Sequence, residues 1–325
     1  MIKVLKKIQG FTIKKAVVLL NMGGPSNLFE VETFLKNMFA DPHILQIKSN
    51  FLRKIIGSVI INKRLEEAKK NYQAIGGKSP ITPLTFALTQ KLSELDSNTY
   101  YTYAMRYTPP YSDMVVMDLV HRGIEEVVLF SMYPQYSSTT TLSSIEDFQA
   151  SCKKHHFTPK ITSFTSYADN PAFINLVAKD IQKALGDRSA KDYSLILSAH
   201  GLPQSIIDAG DPYAKECQKS LEALKAYLPT LGLEFGEILL SYQSKVGSMK
   251  WLEPSTKSVI KGKKNLIIYP LAFSIDNSET LFELDIELYT LAKKGGVEDF
   301  IRVPCLNDSQ GFGEFIIQST QGEKQ

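Results

Sequence analysis

Short apolar runs alternate along the chain with longer amphipathic stretches, and this alternation restricts the possible folds more than any other feature of the sequence. The runs are aliphatic or β-branched on both faces, which is typical of strands covered on both sides of a parallel sheet. Six strands are predicted: Ala16–Leu20, Tyr100–Met105, Val127–Ser131, Ser194–Ser198, Glu237–Tyr242 and Leu266–Tyr269. Helices are predicted between them, including Val31–Met38, Ile61–Tyr72, Pro171–Leu185, Tyr213–Leu228 and Glu279–Lys293. The pattern therefore predicts an α/β protein with parallel sheets.

Similar motifs in the two halves of the chain indicate a weak internal duplication. A predicted strand leads into Leu20–Pro25, and a later one leads into Leu197–Pro203; likewise Tyr133–Ser137 resembles Tyr269–Ser274. The two motifs of the first half are 108 residues apart and those of the second half 66, so the first half carries about 42 extra residues. We therefore expect two similar α/β halves that face each other across a cleft.

The length of 325 residues agrees with about two domains. We predict an N-terminal α/β domain over residues 1–160 and a C-terminal one over 161–325, and we leave open whether the last helix packs back on the first domain. With 43% hydrophobic and 22% charged residues, the composition is that of a globular protein and excludes a disordered or collagen-like chain. A net charge of +3 is too small to indicate a nucleic-acid partner, and none is expected.

Cysteine usage and hydropathy indicate the compartment. Cys152, Cys217 and Cys305 are far apart and form no CxxC pair, which argues against a structural zinc or iron–sulfur motif and fits a reducing compartment. The apolar run Ala16–Leu20 is too short for a signal-peptide core, and no window approaches 18 uncharged apolar residues. We expect a cytoplasmic protein without a spanning segment.

The extra length of the first half includes the segment Ile44–Arg64. Its apolar residues fall at helical spacing beside five basic ones: Phe51, Leu52, Ile55, Ile56, Val59 and Ile60, with Lys48, Arg53, Lys54, Lys63 and Arg64. One interpretation is a helix packed on the core with a solvated basic rim. The other is an apolar lip that touches a membrane surface, such as the inner membrane, or a greasy substrate.

His200 is the single residue most indicative of chemistry. It follows the predicted strand Ser194–Ser198 and precedes Gly201 and Pro203, which end the regular structure. In parallel sheets the ligand site lies beyond the carboxyl ends of the strands, so the imidazole is expected there. An imidazole can accept a proton near neutral pH or bind a divalent metal. The alternative is a histidine hydrogen-bonded in a turn.

A stripe of carboxylates follows the predicted strand Leu266–Tyr269. Glu279, Glu283 and Glu287 recur at i, i+4 and i+8 and so share one helix face. Like charges at this spacing cost a few tenths of a kcal/mol per pair, so the stripe either guides a cation or is a solvated face near a helix N-terminus. Carboxylates joined by an imidazole suit Fe²⁺, Zn²⁺ or Ni²⁺.

Aromatic and polar residues at other strand ends complete the candidate site. The segment Tyr133–Thr141 follows a predicted strand and is rich in hydroxyl side chains. Together with Met22, Trp251 and Phe273 it can wall a pocket for a flat apolar ligand, although such residues also serve as core. Neither phosphate-binding glycine motif, GxGxxG or GxxxxGK[ST], occurs.

Taken together, the motifs resemble those of the ferrochelatase family, the iron-inserting enzymes of heme synthesis, with the epsilon-proteobacterial forms most similar. They occur in the family's order and cover most of the chain: Leu20–Pro25, Ile75–Ile81, Tyr133–Ser137, Ser198–Pro203, Gly210–Tyr213, Tyr242–Gly247, Trp251–Leu252, Pro270–Phe273 and Glu279–Leu281.

The resemblance implies two Rossmann-like, chelatase-type domains with a porphyrin cleft between them, and a lyase that converts protoporphyrin IX and Fe²⁺ to protoheme. It implies that His200 and Glu279 form the active-site pair and contact the metal with Glu283 and Glu287. It further implies that the porphyrin is lined by Met22, Tyr133, Trp251 and Phe273. Iron is then a substrate, with no retained cofactor and no iron–sulfur cluster.

Two positions depart from the family pattern. Ile275–Asn277 replaces the usual Ser-Asp-His, so the Asp–His pair is absent, and Ala74 replaces the usual Arg before Ile75. Metal insertion needs a base near the ring centre and ligands that bind and release, which a neutral His200 opposite Glu279 would supply. The alternatives are a chelatase for another tetrapyrrole or metal, and a heme or porphyrin carrier, which would need only the apolar walls.

Overall fold

Two layered α/β halves make up the part of the protein that the computed structural model describes, residues 13–245 and 249–321. The strands are β1 Lys15–Asn21, β2 Tyr100–Met105, β3 Glu126–Ser131, β4 Lys160–Phe164, β5 Ser194–His200, β6 Glu237–Gln243, β7 Asn265–Pro270 and β8 Asp299–Arg302. The α-helices are α1 Val31–Ala40, α2 Asn50–Ala74, α3 Ile81–Leu95, α4 Ser112–Arg122, α5 Ser143–Lys154, α6 Pro171–Leu185, α7 Gln204–Asp208, α8 Tyr213–Tyr227, α9 Thr256–Val259, α10 Tyr289–Lys294 and α11 Gln310–Gln321. Wider π-helical turns precede α5 and α10, at Ser138–Leu142 and Glu279–Leu288.

The two sheets repeat one topology. The first has the order β2-β1-β3-β4 and the second β6-β5-β7-β8, and every neighbouring pair is parallel. β1 thus corresponds to β5, and β3 to β7. The predicted fold class, two similar parallel α/β units, is confirmed.

Two strands, β4 and β8, are absent from the sequence prediction. Each lies at an outer edge of its sheet, and no residue of either strand is fully buried. The continuous apolar signal of a strand covered on both faces is therefore missing there. Because β4 pairs with β3, the first sheet extends to Phe164, and the predicted boundary at residue 160 falls at the start of this strand.

One large hydrophobic core joins the two halves. It includes inner-face residues of both sheets, such as Val17 and Phe130 from the first and Leu197 and Tyr269 from the second. Helix α11 follows the last strand of the second sheet but packs on α3, α6 and β3, where Phe315 meets the Phe130 ring at 6.3 Å. The C-terminal helix thus ties the second half to the first.

The lip segment forms part of one long helix. Residues 44–49 are a loop, and α2 then runs unbroken through both the lip segment and the helix predicted at Ile61–Tyr72. Five of its apolar side chains face outward, with Phe51 72% and Val59 50% exposed, whereas Ile60 is partly buried and α2 packs on α1. The helix is therefore packed on the core through one face, and its other face presents exposed apolar side chains. Arg53, expected on the basic rim, is instead buried beside Asn50.

Candidate active site

A cleft of about 890 Å³ opens between the two halves at the carboxyl ends of their strands. Met22 follows β1, Tyr133 follows β3, His200 ends β5 and Phe273 follows β7, and all four line this cleft. Trp251 lines it too, and its backbone bridges that of Pro203 in the loop after His200. The four residues that the resemblance implies as porphyrin lining, Met22, Tyr133, Trp251 and Phe273, are thus placed in the same cleft, with the aromatic rings mostly buried. Of the segment Tyr133–Thr141, only alternate residues and Thr140 line it.

His200 and Glu279 lie side by side on the wall that the second half contributes to this cleft, not opposite each other, although 79 residues separate them in the sequence. The distance between His200 Nδ1 and Glu279 Oε2 is 2.8 Å. His200 pairs with Gln243 at the end of the neighbouring strand, and Gly201 N donates to the Gln243 carbonyl at 2.8 Å. A Cβ at Gly201 would lie 2.6 Å from that oxygen, so only glycine permits the turn that presents the imidazole.

Glu279 receives its hydrogen bonds as a carboxylate. Besides the imidazole, Gln243 Nε2 and Ser244 Oγ lie 3.3 and 2.7 Å from the same oxygen, Oε2. Three donors on one oxygen require it to accept, so the hydrogen between the pair belongs to His200 Nδ1. Nε2 has no hydrogen-bond partner among the described residues, and about a third of the imidazole side chain is exposed to the cleft.

Burial and charge act on His200 and Glu279 in opposite directions. Burial by itself lowers the pKa of His200, but the Glu279 carboxylate outweighs it, so the pKa lies above the ordinary histidine value. Burial likewise raises the pKa of Glu279, yet the charge of His200 and the hydrogen bonds to the carboxylate hold it below the ordinary value. The neutral His200 expected from the sequence thus competes with an imidazolium that Glu279 stabilises.

Ser244 joins Glu279 to Glu283. Its backbone has φ +64°, a left-handed conformation that is uncommon outside glycine and concentrates at functional sites. Its hydroxyl oxygen lies 2.7 Å from Glu279 Oε2 and 2.6 Å from Glu283 Oε2. A hydroxyl has one hydrogen, so Ser244 can donate to only one carboxylate at a time, and both contacts form together when Glu283 is protonated. Burial, followed by the charge of Glu279, raises the pKa of Glu283 to about 7, which agrees with this.

The three carboxylates of the stripe line one wall of the cleft from a π-helix. Its i→i+5 hydrogen bonding widens the turn, and such turns occur frequently at functional sites. Glu287, at the exposed end, pairs with Lys257 at 2.8 Å. Within the described ranges, no group of three or more His, Cys, Asp and Glu side chains is arranged to hold a metal ion.

The residues that replace the family's Ser-Asp-His serve structural contacts. Asn277 Oδ1 accepts a hydrogen bond from the Glu279 backbone N–H at 2.8 Å, which fixes the first turn of the π-helix. Asp276 points away from the cleft and pairs with Arg302 at 2.7 Å. Neither residue lines the cleft. Asn277 acts on the site only indirectly, because its side-chain amide holds the backbone N–H of Glu279.

Arg64 lies in the cleft, which the sequence pattern does not predict. The pattern places it on the rim of the lip, but it is half-buried and lines the cleft, as do Lys245 and Lys257. Lys245 pairs with Glu253 and Lys257 with Glu287, whereas Arg64 has no side-chain partner among the described residues. Ala74, at the position of the family's arginine, is exposed and outside the cleft. The sequence feature that could have located this cation is the position of Arg64 on the helix that leads to the Ile75–Ile81 motif.

Of the Tyr242–Gly247 motif, Val246 and Gly247 lie outside the described residues.

Comparison with known proteins yields one consistent family. The family model described as Ferrochelatase matches residues 14–323. A curated ferrochelatase of Helicobacter pylori (strain P12) is 52% identical over 315 residues, covering 96% of this chain and 94% of its own. One from Wolinella succinogenes is 52% identical over 314 residues and covers 96% and 99%. The resemblance to epsilon-proteobacterial sequences is confirmed.

Two solved structures share the fold at low sequence identity. CbiX, the terminal enzyme for siroheme biosynthesis in denitrifying bacteria, superposes with a TM-score of 0.56 at 12% identity and covers 95% of this chain and 100% of its own. SirB from Bacillus subtilis gives 0.55 at 10% identity and covers 95% and 94%. These similarities place the chain in the chelatase architecture.

Proposed function

The chain belongs to the ferrochelatase family, and from this we propose that its cleft inserts Fe²⁺ into protoporphyrin IX to form protoheme, a lyase reaction that completes heme synthesis. The observation that carries the proposal is the His200–Glu279 pair, which lines a cleft large enough for a macrocycle and whose Nε2 has no partner in the part of the chain that the structure describes. Iron and porphyrin are both substrates.

Insertion requires two pyrrole N–H protons to leave the ring while Fe²⁺ loses its water. His200 Nε2 accepts the first proton, because Glu279 keeps the hydrogen on Nδ1 and stabilises the imidazolium that forms. Glu283, which is joined to the pair through Ser244 and has a pKa of about 7, accepts the second pyrrole proton after releasing its own proton to the solvent in the cleft. Each of these side chains carries a nitrogen or oxygen that can bind incoming iron, although among the described residues they are not arranged as a ready three-ligand metal site.

The cleft walls hold the ring in place for this transfer. Tyr133, Trp251 and Phe273 present mostly buried aromatic surfaces, and Met22 adds a flexible apolar contact. Arg64 supplies a cation at the mouth that is not already paired within the described residues, and its planar guanidinium suits a carboxylate such as a porphyrin propionate.

Anaerobic incubation of the pure protein with Fe²⁺ and protoporphyrin IX tests the function directly. Heme absorbance is expected to appear in proportion to enzyme. Cobalt and another tetrapyrrole, offered in parallel, show whether the enzyme belongs to the ferrochelatase type or to a chelatase of other specificity. A protein that binds protoporphyrin but forms no heme would be a carrier, and the proposal would be wrong.

We expect the outer carboxylates to deliver iron. Glu283→Gln with Glu287→Gln is expected to raise the KM for Fe²⁺ about tenfold, since the cation loses the charge of Glu287 and the ionised form of Glu283, whose pKa is about 7, along the cleft wall. The KM for porphyrin is expected to change little. Stability is also expected to change little, because lost repulsion is offset by the lost Lys257–Glu287 ion pair.

The matched control for the iron prediction carries the same change in charge elsewhere. Glu94→Gln with Glu222→Gln alters two exposed carboxylates outside the cleft, and its iron KM is expected to equal that of the wild type. If the wild type, the Glu283/Glu287 variant and the control have equal KM values for Fe²⁺, the stripe is only a solvated helix face and does not deliver iron.

We also propose that α2 contacts a membrane surface from which porphyrin is taken up. Phe51, Leu52, Ile55, Ile56 and Val59 are all more than 40% exposed. Lys48, Lys54 and Lys63 are exposed beside them. Each cation near an anionic surface contributes about 1 kcal/mol, in a salt-dependent manner. No helix in the described residues is long and apolar enough to cross a bilayer, so the contact proposed is peripheral.

Replacing Phe51, Ile55 and Val59 by Ser is expected to abolish reversible, salt-sensitive binding to anionic vesicles, measured by co-sedimentation. Folding and iron KM are expected to be retained, because these side chains are exposed and lie outside the cleft. The matched control replaces Met114, Met117 and Val120 of α4, which are similarly exposed. Vesicle binding by the α2 variant equal to that of the control would contradict the proposal.

A further inference from the structure

One carboxylate, that of Asp211, joins the two halves of the protein at the cleft. Asp211 lies after α7 in the second half, where Gly210 with φ +102° allows the chain to turn. Its Oδ2 accepts three hydrogen bonds from the first half: from Ser137 Oγ at 3.0 Å, Ser138 N at 2.7 Å and Ser138 Oγ at 2.6 Å. These residues are 73 and 74 positions away in the sequence.

The other oxygen of the same carboxylate acts within its own half. Asp211 Oδ1 accepts from the backbone N–H of Tyr213 at 3.0 Å, in the first turn of α8. Asp211 thus places one negative charge at two helix starts, the Ser138–Leu142 π-turn that leads into α5 and the start of α8. Acceptors at helix N-termini satisfy backbone N–H groups that otherwise lack partners, and a negative charge there is favoured by the helix dipole.

Both structures held by Asp211 form part of the cleft. Ser137, Thr139 and Thr140 line it from the first half. Tyr213 lines it from the second half, and its hydroxyl donates to the His200 carbonyl at 2.9 Å. Asp211 itself does not line the cleft. It therefore sets the position of one wall relative to the backbone of His200 without touching the space where a ligand would lie.

We propose that Asp211 is a positioning residue that fixes the distance between the Ser137–Thr140 wall and His200, and thereby the fit of the macrocycle. The inference rests on the proposed function, because the occupant of the cleft is taken to be porphyrin. Its chemical basis is a charge-assisted hydrogen-bond cluster between the two halves, buried on the Ser137 side.

The test compares Asp211→Ala and Asp211→Asn with the control Asp208→Ala, an exposed carboxylate at the end of α7. Asp211→Ala is expected to raise the porphyrin KM about tenfold, the worth of one charge-assisted hydrogen bond, and to leave the iron KM unchanged. Asp211→Asn keeps one oxygen acceptor, so its porphyrin KM is expected to lie between the values for Asp211→Ala and the wild type. Asp208→Ala is expected to match wild type.

A double-mutant cycle separates positioning from general stability. Ser137→Ala with Ser138→Ala removes the two hydroxyl donors, and adding these changes to Asp211→Ala is expected to raise the porphyrin KM no further. A purely structural role predicts less folded protein and a lower kcat at unchanged porphyrin KM. Unchanged porphyrin KM in Asp211→Ala, or additive effects in the cycle, would overturn the proposal. If Asp211→Ala does not fold, the porphyrin KM of the Ser137→Ala/Ser138→Ala variant is the test: a raised value supports the proposal, and an unchanged value overturns it.

Porphyrin binding, measured by fluorescence without metal, keeps this inference distinct from the proposed function. If the wild type binds protoporphyrin but inserts no iron, the function has failed, and the Asp211 variants are judged on porphyrin affinity. If the wild type inserts iron and Asp211→Ala binds and inserts equally well, only the positioning role has failed.

Discussion

Replacing His200 by Ala is expected to lower the rate of iron insertion by about 10³-fold or more, because a positioned general base contributes 10² to 10⁴ and the imidazole is also a metal ligand. Porphyrin binding is expected to persist, since the apolar walls are intact. Heme formation and protoporphyrin fluorescence, measured on the same preparation, separate the two effects. Added imidazole is expected to restore part of the rate by entering the space left beside Glu279.

The matched control is His121→Ala, which removes an exposed imidazole from the end of α4. It is expected to retain wild-type turnover. Near-normal turnover in the His200 variant would assign the base to another residue, and loss of porphyrin binding would show that His200 supports the walls rather than the chemistry.

Glu279→Gln is expected to lower turnover by about 10²-fold or more, because an amide can donate to His200 Nδ1 and so move the imidazole hydrogen to Nε2, the nitrogen that must accept a proton. The change in size is minimal, so the fold and porphyrin binding are expected to remain. The exposed Glu234→Gln serves as the control for loss of one carboxylate.

The residual activity of Glu279→Gln also has a predicted pH dependence. Glu279 holds the pKa of His200 above its usual value, so in the wild type the neutral base appears only as pH rises through that raised pKa. Without the carboxylate, burial lowers the pKa, and the neutral base is present at lower pH. The acid limb of kcat/KM is therefore expected to move to lower pH. The pKa of Glu283, raised in part by the charge of Glu279, falls in the same direction. A limb that moves upward or stays fixed would contradict the proposed coupling.

The polar contacts that adjust the site were largely invisible in the sequence. Ser244 belongs to the Tyr242–Gly247 motif, but nothing in that motif shows that its hydroxyl contacts two carboxylates. Helical spacing places Arg64 near the apolar face and so predicts it on the rim, yet in the structure Arg64 lines the cleft. Ala74, which stands where the family usually has an arginine, lies outside the cleft, so that position did not predict that the cation in the cleft is Arg64.

The sequence by itself determined the fold class and several of the residues that line the cleft. Buried parallel strands require continuous apolar runs, and their carboxyl ends converge, so a residue that follows such a strand is placed at the ligand edge by local pattern alone. His200 and Phe273 were found in this way. The family resemblance implied the His200–Glu279 pair, but only the tertiary structure showed its direct hydrogen bond and the contact of Ser137 with Asp211, which join residues 79 and 74 positions apart. Such contacts depend on how the two sheets and their shared core pack, and no local pattern encodes that geometry.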